Sequence, residues 1–132
     1  MQYKPKKYLN DTKQEIGEFL GKFKILVKNK KFIIPQNDKR LDNRKFIQKY
    51  HLNLKKQMQM LLEIQVTDFC YSVDSDKNSG ERLYIFLKDY TLDNWGILEK
   101  VSVYIKIVIK SEDYTVIISF HEPQKSIKKL FI

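Results

Sequence analysis

Two periodicities divide the chain. From Thr12 to about residue 29, apolar side chains fall at Ile16, Phe19, Leu20, Phe23 and Val27, the i, i+3, i+4 spacing of one helix face. Thr12 and Glu15 open this stretch with the spacing of a capping box. A second helix is predicted from Asp42 to about His51, burying Phe46, Ile47 and Tyr50. Asn53 is placed to N-cap a third, with Leu54, Met58, Leu61 and Leu62 on one face. Between the first two helices, Lys31–Pro35 reads as a short edge strand ended by proline.

Beyond Asp68 the period becomes two. Phe69–Val73 and Leu83–Tyr90 are predicted strands separated by the polar loop DSDKNSGE, and LDNWG is a turn. Val101–Lys110 and Tyr114–His121 form a closing hairpin. Helices followed by an antiparallel meander predict an α+β fold. The length suits one domain over 1–132, with a helical part at about 10–66, a sheet part at about 67–123 and a short basic tail at 124–132.

Opposed residues of a hairpin share a face, so apolar patterning selects the register. A two-residue loop Glu112-Asp113 pairs Ile109 with Val116, Ile107 with Ile118 and Ile105 with Phe120, giving one apolar face. The other face then carries Lys110/Thr115, Val108/Ile117, Lys106/Ser119 and Tyr104/His121. A four-residue loop keeps that pairing, whereas a three-residue loop or a bulge breaks it. On the preceding strand, Leu83, Ile85 and Leu87 suit a core face. That leaves Tyr84, Phe86, Lys88 and Tyr90 on the other, where they would join Tyr104 if the faces coincide.

Composition narrows the chemistry. One cysteine, Cys70, rules out an intramolecular disulfide, and with two histidines it makes a Cys/His zinc site a poor fit. No apolar run approaches a membrane span and the first residues lack a signal-peptide pattern, so a reducing, cytoplasmic setting is the expectation. Residues 1–60 hold 16 Lys/Arg against 5 Asp/Glu, while residues 61–132 hold 9 against 11. The basic half is a candidate footprint for nucleic acid or an acidic protein. No cofactor or metal is expected: Asp74, Asp76 and Glu81 share a loop but do not match a Ca²⁺-binding pattern.

Tyr104, His121, Lys106 and Lys88 on one sheet face would suit metal-free RNA cleavage. In that reaction the ribose 2′-OH attacks the adjacent phosphate, and the protein moves protons and neutralises charge. His121 is the candidate acid or base, Tyr104 and Lys106 touch phosphate or transfer a proton, and Lys88 stabilises charge. Tyr71, Tyr84, Phe86, Tyr90 and Ser119 would contact the strand, the aromatics by stacking on splayed bases. The competing class is a non-catalytic module that grips RNA or a protein through Lys22, Lys24, Lys28 and Lys30.

The motifs DFCYS (Asp68–Ser72), VYIKI (Val103–Ile107) and VIISFHE (Val116–Glu122) resemble the MqsR-type toxins of bacterial toxin–antitoxin modules. That resemblance covers most of the chain. It implies a RelE-like fold with N-terminal helices packed on a twisted antiparallel sheet. It also implies a toxin endoribonuclease acting on mRNA, with a cognate antitoxin as partner and the ribosome as a further candidate. Tyr104 falls on a family active-site tyrosine. His121 stands where the family has a lysine, Tyr71 where it has another, and Lys88 is nearest to its active-site glutamine.

Overall fold

The computed structural model describes residues 6–75, 80–111 and 113–131. Along the chain run β1 (Lys7–Tyr8), α1 (Lys13–Lys28), β2 (Phe32–Ile33), α2 (Leu41–Lys49), α3 (Leu54–Leu62), β3 (Phe69–Asp74), β4 (Arg82–Asn94), β5 (Ile97–Lys110) and β6 (Tyr114–His121). Single 3₁₀ turns, Asp38–Arg40 and Val66–Asp68, lead into α2 and β3. The α+β class expected from the pattern is present. Among the described residues no helix is long and apolar enough to cross a membrane.

Local chemistry accounts for the helix starts. The Thr12 hydroxyl accepts from the Glu15 amide at 3.1 Å, and the Glu15 carboxylate accepts from the Thr12 amide at 2.9 Å. Asn53 Oδ1 accepts from the Lys56 amide at 2.9 Å. α1 buries Ile16, Leu20, Phe23 and Val27, while Phe19 stacks on Tyr84 at 4.0 Å. α3 keeps most of its expected stripe: Leu61 is buried and Met58 and Leu62 pack against the core, while Met60 is buried as well and Leu54 is exposed. Apolar residues surround much of this nine-residue helix, so periodicity alone could not set the limits of its inner face.

The sheet order is β1-β3-β4-β5-β6-β2. It is mixed rather than wholly antiparallel, because β2 runs parallel to β6. The cause is the crossover through α1, which carries the chain from one sheet edge to the other. Its 16 residues give a length of about 24 Å at 1.5 Å each, matching five strand spacings of about 4.8 Å. Both edge strands therefore come from the N-terminal part of the chain. β1 is seated by Ser72 Oγ donating to Asp11 at 2.7 Å and by Arg82 stacking on Tyr8 at 3.6 Å.

Beyond β2, the open edge of β6 is closed by a side chain. Asn43 on α2, 1% exposed, donates to Ile118 O and Pro35 O, both at 3.0 Å, and accepts from the Phe120 amide at 2.8 Å. One amide thus takes the place of the next strand. Phe46 of the same helix meets Phe120 edge-on at 5.5 Å, fixing α2 against the end of β6.

The two faces of the sheet carry separate clusters. Phe86, Tyr90, Leu92, Val101, Val103, Ile105, Ile107, Ile117 and Phe120 pack with the helices. Cys70, Tyr71 and Ile85 form the second cluster on the outer face, with Val73, Leu87, Tyr104 and Ile127 packed against them. Beyond the reach of β3 and β6, β4 and β5 continue as a two-stranded ribbon to a tight turn at Trp95-Gly96. At that tip Trp95, Ile97 and Leu98 are exposed.

Candidate functional site

The closing hairpin explains which side chains reach the outer face. Its connection is three residues long, since Lys110 pairs with Tyr114, and Asp113 N donates to Lys110 O at 3.1 Å. Ser111 enters it at φ 44°. Glu112, half of the expected two-residue loop, lies outside the described residues, as does Asp76 of the polar loop. The odd loop shifts the outer pairing to Ile109/Thr115, Val108/Val116 and Ile107/Ile117. Thr115 and Ile117 consequently turn into the main core.

A bulge between Lys106 and Ile107 then restores the parity. From there the expected pairs hold: Lys106 opposes Ser119, Ile105 opposes Phe120 and Tyr104 opposes His121. The Tyr104 and His121 rings stack with centroids 5.7 Å apart and planes 24° from parallel. Two deviations, each sufficient to misplace this pair, cancel before reaching it.

β4 corrects the wider constellation. Tyr84 opposes Ile107, Phe86 opposes Ile105, Lys88 opposes Val103 and Tyr90 opposes Val101, so these four share the helix-packed face. Phe86 and Tyr90 are core residues, the Tyr90 hydroxyl donating to Met60 O at 2.7 Å. Tyr84 stacks on Phe19. None of these aromatics joins Tyr104 as a stacking platform. Lys88 lies across the sheet from Tyr104, bound to Asp68 at 3.1 Å. Leu87 and Ile85 are the residues opposite Tyr104 and Lys106. The physical reason is that β4 buries apolar side chains on both faces, Phe86 and Tyr90 on one and Ile85 on the other, so alternation identified two apolar sets without saying which one meets the helices.

The outer face is partly covered. The segment after β6 crosses it, bringing Ile127 onto Tyr104's cluster. Its far end is held by Leu130 N donating to Phe69 O at 2.8 Å and by Phe131 stacking on Phe69 at 5.9 Å. Tyr71 and Ser119 are buried, while Tyr104, Lys106 and His121 remain partly exposed. Burial, followed by the Tyr71 hydroxyl, pushes the Tyr104 phenol well above its ordinary value. Tyr104 is therefore a neutral hydrogen-bond donor near pH 7. Cys70, buried in the same cluster, has its thiol pushed up to about 11, which makes it an unreactive core residue.

His121 stands at the border of this face and a small pocket. Its Nδ1 lies 2.8 Å from Glu122 O. A carbonyl only accepts, so Nδ1 carries the proton and Nε2 of the neutral ring holds the lone pair. The pocket, of about 200 Å³, is lined by His121, Lys45, Lys49, Phe46, Asp42, Glu122 and Gln124. Lys45 and Lys49 are one helical turn apart on α2 and were missed from the sequence. Their i, i+4 spacing was visible, but only the packing of Phe46 on Phe120 carries that helix to His121. Lys49 is partly compensated by Glu122 at 3.8 Å, and Gln124 donates to Asp42 at 2.7 Å.

Among the described residues no group of three or more His, Cys, Asp or Glu side chains is placed to hold a metal ion. Comparison with known proteins finds no matching family model, no matching curated protein and no matching solved structure.

Proposed function

We propose that this chain is a metal-independent endoribonuclease with a RelE-like fold, acting on single-stranded mRNA as the toxin of a type II toxin–antitoxin module. The observation that carries the reading is the stacked Tyr104–His121 pair beside the lysine-lined pocket. The toxin assignment rests on the motif resemblance, which also supplies the cognate antitoxin and, as a further candidate, the ribosome as partners.

In this reading the 2′-oxygen–phosphorus bond forms as the phosphorus–5′-oxygen bond breaks. His121 Nε2 takes the 2′-OH proton, the task for which its tautomer leaves a lone pair. The Lys106 ammonium offsets charge on the non-bridging oxygens and gives the leaving 5′-oxygen the proton that makes it a hydroxyl. Tyr104 stacks on the imidazole and contributes a neutral hydroxyl as donor. Lys45 and Lys49 hold the strand next to the scissile phosphate as point charges. Lys88, Tyr84, Phe86 and Tyr90 have no part in it, because they face the helices.

The test is cleavage of a single-stranded RNA in the presence of EDTA. The products should end in a 2′,3′-cyclic phosphate and a 5′-hydroxyl, and a strand with 2′-deoxyribose throughout should stay intact. Cleavage that leaves 5′-phosphates, or that survives His121→Ala at the wild-type rate, would remove this reading.

A further inference from the structure

On the helix side, α1, α3 and β4 enclose a cleft of about 520 Å³ lined by Lys24, Lys56, Lys88, Gln65, Thr91 and Glu63, with Leu62, Asp89 and Tyr90 completing its wall. It lies on the opposite side of the sheet from Tyr104, since Lys88 shares the face of Val103. Its charges do not balance. Behind the wall, Asp68 is the buried carboxylate of this region, and two ammonium groups already bind it. Lys88 approaches one oxygen at 3.1 Å and Lys129 the other at 3.3 Å, while the Gln65 amide donates at 2.8 Å.

Lys24 adds a third cation close to the same carboxylate. Lys24 lines the same cleft as Lys88, and burial followed by the Lys88 charge holds its ammonium below the ordinary lysine value. The Asp89 carboxylate is engaged by Ser102 Oγ at 2.5 Å and by Lys100 at 3.8 Å. Glu63 is exposed at the end of α3. Like charges gathered in a half-enclosed space cost free energy unless an anion joins them.

We infer that this cleft is an anion site for a phosphate-bearing ligand, held by Lys24, Lys56 and Lys88 with Gln65 as a polar donor. Its volume suits a group the size of a nucleotide. Lysine ammoniums serve phosphate as point charges without demanding the planar geometry that arginine imposes. Tyr90 is committed to Met60 O and offers its hydroxyl to no ligand. The site is independent of the outer-face chemistry, because the whole sheet separates them.

Calorimetry with inorganic pyrophosphate, and in parallel with a nucleoside diphosphate, tests the site on the full chain. Tighter binding of the nucleotide would mean that the cleft also holds the nucleoside. Equal binding would mean that phosphate alone is recognised, and both results support an anion site. Lys24→Gln and Lys56→Gln should each weaken pyrophosphate by about tenfold, and Glu63→Gln should tighten it. Lys24 and Lys56 are partly exposed on α1 and α3, Glu63 is exposed just after α3, and unchanged thermal midpoints without ligand will show that folding is intact. Lys39, exposed and outside the cleft, serves as the control, and Lys39→Gln should bind pyrophosphate as the parent does. Absence of binding, or binding that Lys24→Gln and Lys56→Gln leave unchanged, overturns the inference.

Discussion

Tyr104 and His121 face each other across β5 and β6 as a directly opposed pair, their rings 5.7 Å apart and 24° from parallel. Stacking positions the imidazole, while the hydroxyl is a separate contribution. Single-turnover RNA cleavage should therefore fall by about 100-fold or more in His121→Ala, the ordinary weight of an acid–base group. Tyr104→Phe keeps the ring and should lose less than Tyr104→Ala. Equal losses in the two tyrosine variants would show that the ring does not position the histidine.

The two faces of the sheet should separate stability from chemistry. Phe86 is fully buried on the helix side, and Phe86→Leu should lower the unfolding free energy by about 1 kcal/mol. The cleavage rate of the folded protein should remain unchanged. Lys106→Met should do the reverse, slowing cleavage with little change in the denaturation midpoint. Slowed cleavage in Phe86→Leu would place β4's inner face in the reaction.

Asn43 closes the β6 edge through two hydrogen bonds and holds Pro35 O with a third. Asn43→Ala would strand the buried Phe120 amide and Ile118 carbonyl, at a cost of about 3 kcal/mol. Urea denaturation measures this directly, and a loss below about 1 kcal/mol would mean that water replaces the amide.

Five acidic groups are held toward their protonated forms by burial. Cys70 is pushed up to about 11, and the phenols of Tyr50, Tyr84, Tyr90 and Tyr104 are raised as well. The folded state thus keeps protons that the unfolded chain releases, so their contribution is complete below about pH 9 and lost as pH rises through the folded values. The melting temperature should decline from about pH 9 upward, and less steeply between about pH 9 and 11 in Cys70→Ala. A melting temperature that stays level to about pH 11 would contradict the assignment.

Trp95 and Gly96 form the two-residue β4–β5 turn, with φ of 54° and 89°. Glycine adopts such angles readily, whereas a bulky residue does so at a cost. Trp95 is 81% exposed and meets His51 edge-on at 4.7 Å. Trp95→Asn should raise stability by about 0.5–1 kcal/mol, read as a shift in the denaturant midpoint. A fall would show that the indole–imidazole contact outweighs the strain.

The sequence made local features legible. Thr12 with Glu15, Asn53 with Lys56 and the period of α1 all appear where chemistry demanded them. The Tyr104/His121 pair was legible because burying Ile105 and Phe120 dictates it. What escaped was set by distant contacts. No local pattern makes β2 parallel to β6; that direction follows from the crossing of α1. Lys45 and Lys49 reach His121 through the packing of α2 on β6. The inward turn of Lys88 follows from a second apolar cluster under Ile127, a contact between residues far apart in the chain.

The crossing of α1 also bears on what this sheet can do to its neighbours. An exposed strand border is a template on which another chain can add itself, the first step of fibril growth and domain exchange. Here the two borders are strands of two residues each, held at opposite ends of one helical strut. Past β2, the remaining hydrogen-bonding groups of β6 are occupied by an amide that cannot be extended into another strand. The same unit that completes the sheet also ends it at these two borders, so the strand edges left for another chain are those of the β4–β5 ribbon beyond β3 and β6.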